Sequence, residues 1–158
     1  MIYKDLVNNV LRRLRETEVT SVQSTSYSKL IGDLVNDAKD LVESAWDWSS
    51  LRTTLAINTS DSVYNYALTG SQNKVKELSV LNDTSNLTME YRTNKWMDDQ
   101  YFLQSPLSGA PQYYTYNGVN ASGDTLIDVY PKPDAVYALK FKGTLRNDPL
   151  SAGLLYTS

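Results

Sequence analysis

Ala45-Trp46-Asp47-Trp48-Ser49-Ser50-Leu51-Arg52-Thr53-Thr54 is the stretch at which the chain changes its periodicity. Before it, apolar residues recur at helical spacing; after it, they alternate with polar ones as strands do. Trp46 continues the apolar face of the preceding helix, so the sequence predicts a buried Trp46. Trp48, two residues on, must point elsewhere, over the first strand. With Arg52, the pair reads as a structural junction that clamps helices onto a sheet.

Upstream of the junction, Leu6, Val7, Val10, Leu11 and Leu14 mark an amphipathic helix over about 3–15. Arg12, Arg13 and Arg15 lie near its C-terminal end, where cations suit the helix dipole. They are either a solvated face or a patch for phosphate or an acidic partner. Thr17 to Ser26 is Ser/Thr-rich and aperiodic, hence a loop, with Ser24 to Ser26 supplying an N-cap. A stronger helix follows over about 27–46, its apolar face built from Leu30, Ile31, Leu34, Val35, Ala38, Leu41, Val42, Ala45 and Trp46. Gly32 sits inside that helix at a cost of about 1 kcal/mol relative to alanine. A close helix crossing would account for it.

Downstream, strand patterns fall at about 53–58, 63–68, 75–81, 87–91, 112–117, 125–130 and 137–144, separated by turn residues. The 63–68 segment reads as half of a hairpin, and Asn120-Ala121-Ser122-Gly123-Asp124 as the turn of another. Asn94 to Leu103 reads as a short helix that places Trp96, Met97 and Tyr101 together. The predicted fold class is α+β: an N-terminal helical hairpin (1–50) packed on a mainly antiparallel β-sheet or sandwich (51–144), a short helix near 94–103, and an extended C-terminal segment (145–158). The polar segments Thr17–Ser26 and Leu145–Ser158 are expected to order only on contact with neighbours.

Composition narrows the chemistry. The 158 residues include no histidine and no cysteine, which removes imidazole bases, Ser-His triads, thiolate metal sites and disulfides. Fifteen basic against 18 acidic residues give a net charge of -3, against the clustered cations of a general nucleic-acid binder. No apolar run reaches the roughly 20 residues of a membrane span, and Met1-Ile2-Tyr3-Lys4-Asp5 has no signal-peptide pattern. Asp98-Asp99 is the obvious carboxylate pair for a glycan hydrolase, but helix neighbours face apart. Asp124 and Asp128 sit where a turn and a strand ordinarily place aspartate. Trp96 with Tyr113, Tyr114 and Tyr116 forms either an aromatic platform for sugars or single-stranded nucleic acid, core packing or a protein interface. Leu154, Leu155 and Tyr156 add a small apolar cluster near the end.

Three segments together carry a family resemblance: Leu41 to Thr54, Ser105 to Tyr114 (SPLSGAPQYY), and Gly123 to Asp134 (GDTLIDVYPKPD). In this order they resemble the head-to-tail adaptors of short-tailed bacteriophages, the family of tail tubular protein A and the gateway or head-completion adaptors. The resemblance implies a non-enzymatic virion protein of the neck, without cofactor or metal, assembled in the host cytoplasm. It implies a homo-dodecameric ring between portal protein and tail nozzle protein, with tail fibres as further partners. DNA would pass through it without sequence-specific binding, and no membrane would be involved. In the family the segment after Leu150–Leu155 runs on into further helices, so here either the chain is shortened or the bundle is completed differently. A carbohydrate-binding β-module of an adsorption apparatus is the alternative.

Overall fold

A computed structural model describes residues 2–72 and 75–151. The chain is α+β and divides into two units, one of residues 1–47 with the segment that begins at Arg146, the other of residues 48–145.

The first unit is built on helices α1 (Tyr3–Arg13) and α2 (Ser26–Ala45). Thr25 caps α2: the Ser28 amide donates to its hydroxyl at 3.0 Å, and its own amide donates to the Ser28 hydroxyl at 3.0 Å. Tyr3, Val7, Leu11, Val22 and Ile31 form the core between the helices. Gly32 is what lets them approach. A Cβ there would overlap the Tyr3 hydroxyl and stand 2.8 Å from Val22 Cγ1, so the close crossing expected from the sequence is present. α1 ends in a Schellman turn, with the Arg15 amide donating to Arg12 at 3.1 Å and the Glu16 amide to Leu11 at 3.0 Å. Arg15 occupies the left-handed position of that turn at φ 59°, where glycine is the usual residue.

The second unit is a sandwich of two four-stranded sheets. After a 3₁₀ turn (Ser49–Leu51) come β1 (Arg52–Asn58), β2 (Asn65–Ala67), β3 (Val75–Asn82), β4 (Leu87–Thr88) and β5 (Glu90–Tyr91). Helix α3 (Asn94–Asp98) then runs into a π-helical turn (Asp99–Leu103), followed by β6 (Tyr113–Val119), β7 (Thr125–Tyr130) and β8 (Ala138–Leu145). One sheet has the order β1-β8-β3-β4 and the other β2-β7-β6-β5. All pairings are antiparallel except β5 with β6. The expected hairpin at 63–68 is not formed: β2 pairs only with β7, Asn65 lying opposite Asp128. A three-residue strand offers too few ladder bonds to specify a local partner, and the apolar faces decide the pairing instead. The Asn120–Asp124 turn does join β6 to β7.

Alternation delivers the core. Ile127 and Val129 of β7 and Leu139 and Phe141 of β8 project between the sheets with Val80, Leu68, Met89 and Tyr114. The Tyr114 and Phe141 rings meet edge to face across the two sheets, 6.0 Å apart. Gly143 of β8 leaves room for the neighbouring strand, because a Cβ there would overlap the Lys76 carbonyl beside the β3 bulge. The Tyr130–Pro131 peptide is cis.

Candidate assembly surfaces

The junction differs from its expected role. Trp46 is 72% exposed, not buried. Helix α2 ends at Ala45, and Trp46 is its C-cap in extended backbone (φ -151°, ψ 160°), so the side chain leaves the helical face that the periodicity assigned to it. Trp48 is also exposed, at 42%. Arg52 opens β1 and, with Thr53, Thr54, Ser79, Lys142 and Gly143, lines a shallow polar depression on its sheet.

The three arginines of α1 lie together at its C-terminal end, all exposed. Arg12 pairs with Glu18 at 3.2 Å and bonds Asn9. Among the described residues Arg13 and Arg15 have no ion pair, which leaves a cationic corner beside Leu14, itself 50% exposed.

The aromatic residues divide between two faces. Tyr114 is buried at 3% and, with Tyr116, belongs to the sandwich core. Tyr113 points the other way, where Trp96 of α3 meets it at 5.2 Å. A four-residue platform is ruled out by the pleat, since successive strand residues face opposite sides. The outer face instead carries a run of rings: Tyr64 stacks on Tyr101 at 4.3 Å, Tyr101 and Trp96 each abut Tyr130, and Trp96 abuts Tyr113. Arg92 closes it with its guanidinium 4.8 Å over Tyr113, 5.7 Å over Trp96 and paired to Glu90 at 2.9 Å. Burial, then the Asp128 carboxylate, pushes the Tyr101 hydroxyl pKa up, and that hydroxyl donates to the Val129 carbonyl. This run fastens α3, through buried Met97, to its sheet.

Two of the carboxylates considered for chemistry, Asp124 and Asp128, have structural partners. Asp124 accepts from the Gly70 and Gln72 amides at 3.0 and 3.2 Å, holding the turn before β3. Asp128 is buried and accepts from Asn65 at 2.5 Å and Asn117 at 2.8 Å. Asp98 ends α3 and Asp99 opens the π turn. Among the described residues no cluster of acidic side chains could hold a metal ion. Leu154, Leu155 and Tyr156 lie outside the described residues.

Among the described residues, one face of α2 is an uncovered apolar row. Leu30, Leu34 and Val42 are 52, 53 and 56% exposed, and Ala38 between them is exposed as well. They recur every fourth residue, one ridge along the helix. Leu41 and Tyr27 widen it. The apolar stripe read from the sequence is thus real but mostly faces outward: only Ile31 and Gly32 are fully buried, with Val35 half-buried.

The sequence matches the SU10 adaptor protein family over residues 1–155. The chain belongs to that family. It is therefore a phage structural protein of the head–tail adaptor type, a virion component whose work is binding other virion proteins. No curated protein matches the sequence. Among the described residues of this SU10 adaptor no helix is long and apolar enough to cross a membrane.

Sequence reasoning missed the residues that hold the adaptor's irregular segments. Asn36 of α2 both donates to the Leu150 carbonyl (3.2 Å) and accepts from its amide (2.8 Å). One helical turn on, Lys39 donates to the Asn147 carbonyl at 2.9 Å, and Glu43 accepts from the Asn147 amide at 3.2 Å. Lys39 and Glu43 also pair with each other at 3.2 Å, nearly buried. Asn8 of α1 reads the Val19 backbone in the same two-way manner, at 3.0 and 2.9 Å. Segments 17–25 and 147–150, expected to await a neighbour, are thus fastened within the chain. The signal was only polar residues at helical spacing, which a solvated face also shows.

Proposed function

We propose that this SU10 adaptor assembles as a head-to-tail ring, twelve copies in a short-tailed phage, between portal protein and tail nozzle protein, and continues the DNA channel. The observation that carries the reading is the family match over residues 1–155. The uncovered ridge of α2 supports it, because a row of apolar side chains this exposed on a folded monomer marks a protein contact. A net charge of -3 suits a conduit that DNA crosses without sticking. Assembly would take place in the host cytoplasm, tail fibres would be outer neighbours, and the protein would turn over no substrate. Trp48, Arg52 and the Arg12–Arg15 corner are proposed contact residues for these partners. The test is to mix the purified chain with portal rings at near-physiological salt and image the product by electron cryo-microscopy. A ring of this chain beneath the portal is expected. No portal-dependent ring, together with absence of the chain from the virion neck, would overturn the reading.

A further inference from the structure

The helical unit carries two apolar ridges, and they are unlike. On α2, Leu30, Leu34, Ala38 and Val42 run about 18 Å along the axis at 1.5 Å per residue. On α1, Ile2, Leu6, Val10 and Leu14 recur at the same four-residue interval over about 18 Å. Ile2 and Leu14 are exposed at 38 and 50%, with Leu6 and Val10 half-buried between them. Asp33 and Asp37, both exposed, precede Leu34 and Ala38 and so edge the α2 ridge with negative charge. Arg13 precedes Leu14, and Arg15 follows it in a left-handed conformation that glycine would adopt at less cost. Arg12 is taken by Glu18, which leaves Arg13 and Arg15 to face outward.

Two four-residue ridges of comparable length pack by interdigitation, the commonest helix–helix arrangement in globular proteins. Both lie on the same chain; Lys29 precedes Leu30 on one and Asp5 precedes Leu6 on the other, so the complementarity is local, Arg13 and Arg15 at the end of the α1 ridge against Asp33 and Asp37 beside the α2 ridge. We propose that the α2 ridge of one copy receives the α1 ridge of a second copy, with Arg13 and Arg15 set against Asp33 and Asp37. Where two copies share one such contact, the two different surfaces make it head-to-tail and repeating, which gives a closed ring or an open filament; two copies that make it reciprocally would close as a dimer instead. The inference rests on the ring reading above and names the contact that would close it.

The chain has no cysteine, so single introduced thiols report contacts without background. Leu14 and Leu34 are both half-exposed and outside the buried core cluster, so L14C and L34C should fold as the parent does. Each variant alone should stay uncrosslinked under mild oxidation, whereas an equimolar mixture should give a disulfide dimer on a non-reducing gel, free or on portal rings. Adding R13E and R15E to the L14C chain should cut that yield at least tenfold, and D33K and D37K in the L34C chain should restore it. L34C crosslinking to itself would assign the ridge to a symmetric α2–α2 contact and overturn the proposal. An L34C/L155C chain that closes on itself would assign the ridge to the chain's own end and would overturn it too. Portal-dependent rings that give no L14C–L34C crosslink would overturn this contact and leave the adaptor reading standing. A crosslink without any portal-dependent ring would support the contact and count against the portal reading.

Discussion

In the sandwich, Val80, Ile127, Val129, Leu139 and Phe141 are all at most 2% exposed; in helix α2 of the other unit, Leu30, Leu34 and Leu41 are 52, 53 and 72% exposed. The sandwich has two sheets, each able to cover the other's apolar face. Within the helical unit, one long helix carries a broad apolar stripe, and α1 covers only the edge of it that holds Ile31 and Val35. Its buried side is partly polar, with Ser28, Asn36, Lys39 and Glu43 turned toward the segments they fasten. The core of the sandwich is therefore covered within its own unit, whereas helix α2 keeps a row of apolar side chains uncovered.

The contrast is most exposed to failure on its closed side. Phe141→Ala should cost about 3–5 kcal/mol, read from urea unfolding, because a large ring fully enclosed by both sheets leaves a cavity. A loss below about 1 kcal/mol would mean the sandwich core is as loose as the helical face. Gly32→Ala probes the one tight place in the helical unit. Its methyl has no room against Tyr3 and Val22, and overpacking of about 1–3 kcal/mol should outweigh the gain in helix propensity of about 1 kcal/mol. A rise in melting temperature would show that the helices are not in close contact there.

The fastenings come next in size. Asn36→Ala removes both bonds to Leu150 and should destabilise by about 1–2 kcal/mol, with faster hydrogen exchange at the Leu150 amide. Unchanged exchange would show that the segment does not depend on α2. The smallest effect is expected at Trp46. Its truncation to alanine should move the monomer's stability by no more than about 0.5 kcal/mol, since the ring is mostly in solvent. A loss of several kcal/mol would restore the buried junction that the periodicity suggested.

That last case shows where the sequence was legible and where it was not. Period alone located α1, α2, the short helix at 94–103 and the strands to within a residue or two at most ends, because backbone geometry imposes it locally. Period could not say which side of a broad apolar helix faces inward. Leu30, Leu34 and Trp46 look like core residues whether a partner is in the same chain or another. Strand pairing was also hidden: β1 is matched to β8 some eighty residues later, Leu55 opposite Phe141, and nothing near either strand announces it. Gly32 was readable because a glycine inside a helix needs a reason. Asn8 and Asn36 were not, because their roles depend on backbone groups brought up from distant segments. Tyr113 and Tyr114, adjacent in sequence, were grouped as one surface although the pleat sends them to opposite faces.

The uncovered ridge of α2 is thus held to serve assembly and not the stability of the single chain. Leu34→Asp/Leu41→Asp separates the two roles when compared with the parent in two assays, thermal unfolding of the free chain and ring formation on portal rings imaged by electron cryo-microscopy. Unfolding close to that of the parent, with loss of the ring, is expected. A double variant that builds rings as readily as the parent, or that unfolds many degrees lower, would contradict the assignment of the ridge to assembly.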